Sequence, residues 1–270
     1  MQDIQTNPFD GPIPQEIHLS RSPLISVIGL IRIPSLATLS GKGFDDFAEK
    51  MTRDLQDEYP LLQREVMSSF SQQIIAQNSA ADIPMIPIIK LRSSDQNWRL
   101  TITPTSLGIE VQKYTSRTDF ISRYSTAINT FNLHSGAPFI ERLGIRYINR
   151  IQDSDHLNHL GDLIQDPILA GISIPRIEEV NLIQMFSTCL FEIGENSLQG
   201  NWGILGPDVT PDVSIKPLGE TSWVLDLDAF TDQISIEMDI SERISELSQM
   251  VYRFFRWSIK DHFITTFGGE

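Results

Sequence analysis

Three arginines, Arg142, Arg146 and Arg150, recur every fourth residue in the stretch ERLGIRYINRI, which runs from Glu141 to Ile151. A guanidinium fork matches carboxylate and phosphate oxygens with paired hydrogen bonds, so the chemistry of such a row is anion recognition. Read as a strand, the stretch sends successive side chains to opposite faces. Leu143, Ile145, Tyr147, Asn149 and Ile151 then share a mostly apolar face fit for a core, and Arg142, Gly144, Arg146, Ile148 and Arg150 share the other. Like charges along one strand repel unless anions lie opposite. Those anions are either protein carboxylates or a bound ligand.

The best carboxylates are in SWVLDLDAF, where Asp226 and Asp228 share a face while Trp223, Leu225 and Leu227 face away. Paired with the arginine strand, they would make a buried charge network that sets register more than it adds stability. Alternatively the arginines line a pocket for a small anionic ligand. Both readings hold together if the aspartates position the arginines. The expected ligand-binding set is therefore Arg142, Arg146, Arg150, Asp226 and Asp228.

Other chemistry is sparse. His156 and His159 lie three apart amid Asp153, Asp155 and Asp162, a spacing that puts both imidazoles on one helical face. Without a firm third ligand this reads as a solvated helix start capped by Asp153 or Asp155. No cofactor and no metal are expected. The chain has no Gly-x-Ser-x-Gly elbow, P-loop, Gly-x-Gly-x-x-Gly or Cys-x-x-Cys. The single cysteine, Cys189, sits in MFSTCLF and reads as a core residue in a reducing, cytoplasmic compartment.

Periodicity supplies the elements that must hold these residues. A strand is expected over 22–36, then a helix with Phe44, Phe47, Ala48, Met51 and Leu55 on one side. Strand-like runs follow at about 63–75, 86–92, 98–103 and 107–113, and the stretch from Ser68 to Pro84 reads in part as a loop. Ser116 and Asp119 form a capping box for a helix whose stripe is Phe120, Tyr124, Ala127, Ile128 and Phe131. The order then restarts with the arginine strand and a helix through Leu157, Leu160, Leu163 and Ile164. Strands at about 179–193, 199–205 and 222–229 come next, with a Pro- and Gly-rich loop over 206–219. A long helix from Ile240 follows, with Asp239 and Glu242 as its capping pair. Each half thus reads β-α-β-β-β-α, and one α+β domain over 1–270 is expected, with pseudo-repeat halves at about 20–135 and 136–267. Such a chain builds a large antiparallel sheet, and eight strands can close into a barrel or tunnel around a ligand.

The chain is 40% hydrophobic and 21% charged, ordinary for a globular protein. Its net charge of −14 is lopsided: residues 1–150 hold fifteen basic and fifteen acidic residues, and residues 151–270 hold six and twenty. That balance lacks the basic footprint of a nucleic-acid binder, so no direct nucleic-acid binding is expected. No apolar run approaches a membrane span, and the N-terminal residues lack the basic and apolar regions of a secretory signal. The aromatic group Tyr252, Phe254, Phe255, Trp257, Phe263 and Phe267 covers more than one helix face. That pattern predicts a protein partner or homodimer contact through residues 247–267. The final Gly268-Gly269-Glu270 reads as a frayed end.

Several segments in combination resemble a sporadically distributed prokaryotic family of unassigned function. They are SPLISVIGLIRIPSL, Tyr59-Pro60-Leu61-Leu62, Trp98-Arg99-Leu100, Tyr114-Thr115-Ser116, the Arg142–Asn149 signature strand and Leu225–Asp228. The likeness covers about residues 20–265. Patchy occurrence is typical of mobile, defence or toxin–antitoxin modules, so the resemblance implies such a setting and supplies no activity; the leading expectation is a non-catalytic cytoplasmic protein that binds a ligand or partner. A fainter likeness, of architecture alone, is to the triphosphate tunnel enzymes. It implies an alternative: a metal-dependent phosphohydrolase with Arg142, Arg146 and Arg150 on phosphates and Asp226 and Asp228 on a metal. The N-terminal candidate QEIHLSR supplies Glu16, His18 and Arg21, and lacks that family's second glutamate and its lysine.

Overall fold

A computed structural model describes residues 7–68, 85–174 and 180–269 of the chain. The fold is α+β. In chain order its elements are β1 (Leu24–Arg32), α1 (Lys42–Leu55), β2 (Leu61–Ser68), β3 (Met85–Arg92), β4 (Trp98–Thr103), β5 (Ser106–Val111) and α2 (Arg117–Ser135). There follow β6 (Phe139–Ile151), three short helices α3 (Ser154–Asn158), α4 (Leu160–Leu163) and α5 (Asp166–Leu169), then β7 (Met185–Ile193) and β8 (Asn196–Leu205). The last are β9 (Ser222–Ser235), α6 (Ile240–Ser258) and α7 (Asp261–Thr266).

The nine strands form one antiparallel sheet in the order β2-β3-β4-β5-β1-β6-β9-β8-β7. Its outermost strands, β2 and β7, do not meet, so the sheet is open and the expected eight-stranded barrel or tunnel does not form. Closure needs the two edge strands to bond to each other. Here successive hairpins step outward instead, from β5 to β2 on one side and from β9 to β7 on the other. The first half also carries one strand more than the expected β-α-β-β-β-α.

The chain divides into two compact units. One comprises Ile28–Leu143 and Asp232–Ser241. In it, the α1 residues Phe44, Phe47, Ala48, Met51 and Leu55 are all buried, as their spacing predicts. Ser116 caps α2 by accepting from the Asp119 N–H at 3.2 Å, and Gly136, at φ 66°, ends the helix in the left-handed conformation. Phe47 meets Phe131 edge-on at 5.2 Å. The Tyr124 ring lies directly on Gly29, where an added Cβ would come within 2.5 Å of it. Residues 69–84, which include the end of the run expected over 63–75, lie outside the described residues.

The other unit comprises Met1–Val27, Gly144–Thr231 and Glu242–Glu270. Its single predicted helix through Leu157 to Ile164 is instead two short ones, α3 and α4, with α5 following. Asp153 caps α3 by accepting from the N–H groups of Asp155 and His156. His159, at φ −115°, interrupts the helix, and Pro167 sits in the first turn of α5, where its missing N–H costs no helical hydrogen bond. Residues 175–179 lie outside the described residues, and β7 begins at Met185. Cys189 is half-buried on this edge strand rather than in the core. Phe254 packs against Phe9, Phe191, Trp202 and Trp257, and Phe255 against Phe263. The expected fraying at Gly268 and Gly269 gives way to pairing with the N-terminal segment: Gly269 bridges Leu19, and the Arg21 N–H donates to the Phe267 carbonyl at 3.0 Å.

Candidate functional site

Strand β6 fixes the geometry of the arginines. Tyr147 points to α6, where its hydroxyl meets Ser248 Oγ at 2.8 Å. Arg146 and Arg150 therefore point to the opposite side of the sheet. That side is covered by the loop over residues 206–221, whose Ile215 is fully buried. The loop is shaped by its own polar groups: the Thr210 hydroxyl reaches the carbonyls of Asp212 and Ile215, and the Ser214 N–H donates to Asp212 Oδ1 at 2.7 Å.

Arg146 and Asp226 form a fork-to-carboxylate pair. Nε donates to Oδ1 at 2.7 Å and Nη2 to Oδ2 at 2.8 Å, with the aspartate side chain only 3% exposed. Asn201, directly across the β8–β9 ladder from Asp226, donates to the same carboxylate at 3.3 Å. The third guanidinium nitrogen faces the loop, 3.4 Å from Asp212 Oδ1 and 3.5 Å from Ser214 Oγ. Burial works against the Arg146 charge, but the hydrogen bonds and negative charge of Asp226, with Asp212 and Asp228 behind it, overcome that and push its pKa further up. At Asp212 burial raises the pKa, yet the Ser214 N–H and the Arg146 charge win and hold the carboxyl below its ordinary range.

Arg150 differs. It is 7% exposed; Nε donates to Ser222 Oγ at 3.0 Å, and Nη1 donates to the Lys216 carbonyl of the loop. Its Nη2 is buried with no hydrogen-bond partner among the described residues. Burial lowers the pKa of this guanidinium, opposed by the charge of exposed Glu220. No carboxylate lies within ion-pair distance of it among the described residues. Arg150 is thus a desolvated cation held only by neutral acceptors, the most costly kind of buried charge.

Of the remaining expected residues, Asp228 is half-buried opposite Gln199 on β8, near enough for its charge to act on Arg146, and Arg142 is half-buried and belongs to the other compact unit. Asp212, Ser214 and Lys216 escaped the sequence reading because a loop has no period to betray which groups turn inward. His156 and His159 flank the α3 terminus, with Phe267 5.2 Å from the His156 ring. Among the described residues no group of three or more His, Cys, Asp or Glu is placed to hold a metal ion, and no helix is long and apolar enough to cross a membrane. No protein-family model matches the chain, and no curated protein matches it.

Proposed function

We propose that the protein is a non-catalytic binding protein whose arginine cluster takes a small anionic ligand, with Arg150 as the anchor. The observation that carries this is the buried Arg150 guanidinium, whose Nη2 group has no hydrogen-bond partner and which has no carboxylate partner among the described residues. Folding normally removes such an expense, so its retention fits a site kept ready for an incoming anion. Asp226 holds Arg146 rigidly on the same face of the strand, four residues away, which supplies preorganised positive charge. The loop meanwhile lays the Asp212 carboxylate and the Lys216 carbonyl against the two guanidiniums, as internal stand-ins that a stronger anion displaces.

The same geometry argues for binding over metal-assisted hydrolysis. Both Asp226 oxygens accept from Arg146, and Oδ2 also accepts from Asn201, a clamp that leaves the carboxylate ill-suited to coordinate a cation. The open sheet also removes the tunnel on which that alternative was built.

Replacing Arg150 with Met tests the proposal by two opposed readouts. A binding arginine should release protein stability when removed, by about 1 kcal/mol in chemical denaturation, while calorimetric binding of inorganic phosphate or pyrophosphate disappears. A purely structural arginine would instead destabilise the fold on removal. Anion binding that survives Arg150→Met, or that is absent from the unaltered protein, overturns the reading.

The proposal extends to a cytoplasmic setting in a defence or toxin–antitoxin module, with a second copy or a protein partner on residues 247–267. Tyr252, Phe255 and Trp257 support the contact: each keeps partial exposure even though Tyr252 packs on Phe255, Phe255 on Phe263 and Trp257 on Phe254. Light scattering that finds only monomers, alone and with candidate partners, would remove this part.

A further inference from the structure

A groove of about 400 Å³ shares no residue with the arginine cluster; it lies between the N-terminal segment, the β7–β8 turn and one face of α6. Its N-terminal wall is fixed by Tyr252, whose hydroxyl accepts from the Ile17 N–H at 2.9 Å and donates to the Gln15 carbonyl at 2.8 Å. On α6 the lining residues Glu246, Met250 and Arg253 follow the i, i+4, i+7 spacing of a single helical face.

The two ends of that face carry opposite charge. At one end Glu195 and Glu246 together hold a single guanidinium, Arg243, at 3.0 and 2.7 Å, so negative charge is in excess. At the other, Arg253 has only the Phe9 carbonyl at 3.5 Å, and no carboxylate within ion-pair distance among the described residues. Seven residues of helix separate the poles by about 10 Å. Between them the walls are apolar, from Phe9, Ile13, Ile193 and Met250. Two lining groups lack partners among the described residues: Asn196 Oδ1, a buried acceptor, and Arg243 Nε, a buried donor.

We infer that this groove binds a short apolar peptide of about three residues with both termini free. An extended chain of three residues spans about 10 Å, which matches the separation of the poles. Its ammonium sits at Glu195 and Glu246, and its carboxylate at Arg253. A backbone N–H satisfies Asn196 Oδ1, and a backbone carbonyl accepts from Arg243 Nε. The cavity falls within the usual size for a small-ligand site.

Calorimetric titration with Ala-Leu-Ala, its N-acetylated form and its C-terminal amide tests this directly. The free tripeptide should saturate the protein, and capping either end should weaken binding by about fivefold, the upper range for half-exposed ion pairs. Arg253→Gln should weaken the free peptide by a similar factor and abolish the penalty for amidation alone. Glu246→Gln should abolish the penalty for acetylation alone. Failure to saturate by about 10 mM, where binding is already weaker than about −3 kcal/mol, would overturn the inference. Equal binding of free and capped peptides would do the same, as would cap penalties that persist in both variants. Should either variant fail to fold, the comparison of caps on the unaltered protein decides.

Discussion

At the scale of single residues, the arginines of β6 are chemically alike but energetically opposite. Arg146 has its charge matched by Asp226, which makes each partner dependent on the other. Replacing Asp226 with Asn should leave the buried guanidinium with only the part-exposed Asp212 as a charge partner and cost about 3 kcal/mol in urea denaturation. Replacing both residues together, Arg146→Met with Asp226→Leu, should recover most of that loss. A single variant as stable as the unaltered protein would mean the pair contributes little. Tyr59 makes the corresponding case for a buried neutral group. Its phenol is 2% exposed, and burial pushes its pKa from the ordinary 10 up to about 12, against the pull of the nearby Arg123 guanidinium. The folded chain thus holds that proton more tightly than the unfolded chain. The stability this gives is complete below pH 10 and is lost as pH rises through 12. Tyr59→Phe has no proton to lose, so the unaltered protein should weaken relative to it across that window, by on the order of 2 kcal/mol. Parallel pH curves for the two proteins would show that the phenol is solvated after all.

At the scale of elements, what was legible in the sequence is what repeats. The α1 stripe from Phe44 to Leu55, the Ser116 cap and the two-faced β6 all follow from spacing, because burial imposes the period of the element on the apolar residues. Even the meeting of Arg146 with Asp226 was readable, as two strands with complementary charge on one face each. The covering loop was not. Nothing periodic marks Asp212, Ser214 or Lys216, whose positions depend on hydrogen bonds local to the loop and on Ile215 finding the core. Sheet closure was illegible for a related reason, since strand count does not say whether hairpins curl together or walk apart. The loop carries its own expected outcome. Thr210 ties Asp212 to Ile215, so Thr210→Val should speed amide hydrogen exchange over residues 206–221 while changing global stability by less than about 1 kcal/mol. Unchanged exchange there would place the control of the loop in other contacts.

At the scale of the whole molecule, the two compact units are not joined by linkers. The boundaries fall at Val27–Ile28 within β1, Leu143–Gly144 within β6, Thr231–Asp232 within β9 and Ser241–Glu242 within α6. Each boundary thus falls inside a strand or a helix rather than between elements. Domain boundaries in proteins normally lie in exposed, flexible segments that few contacts cross, and these do the opposite. A strand cannot stay ordered over half its length while its neighbours in the ladder melt, because each residue shares hydrogen bonds with the strands beside it. One cooperative unfolding transition is thus expected. Two tryptophans can report it separately: Trp98 is 6% exposed in one unit, against Phe120 and Arg123, and Trp223 is 1% exposed in the other. Variants that keep only one of these tryptophans should give denaturation midpoints that coincide with each other and with far-ultraviolet circular dichroism. Midpoints that separate would mean the strands can break at the unit boundaries, and that the chain is two domains sharing one sheet.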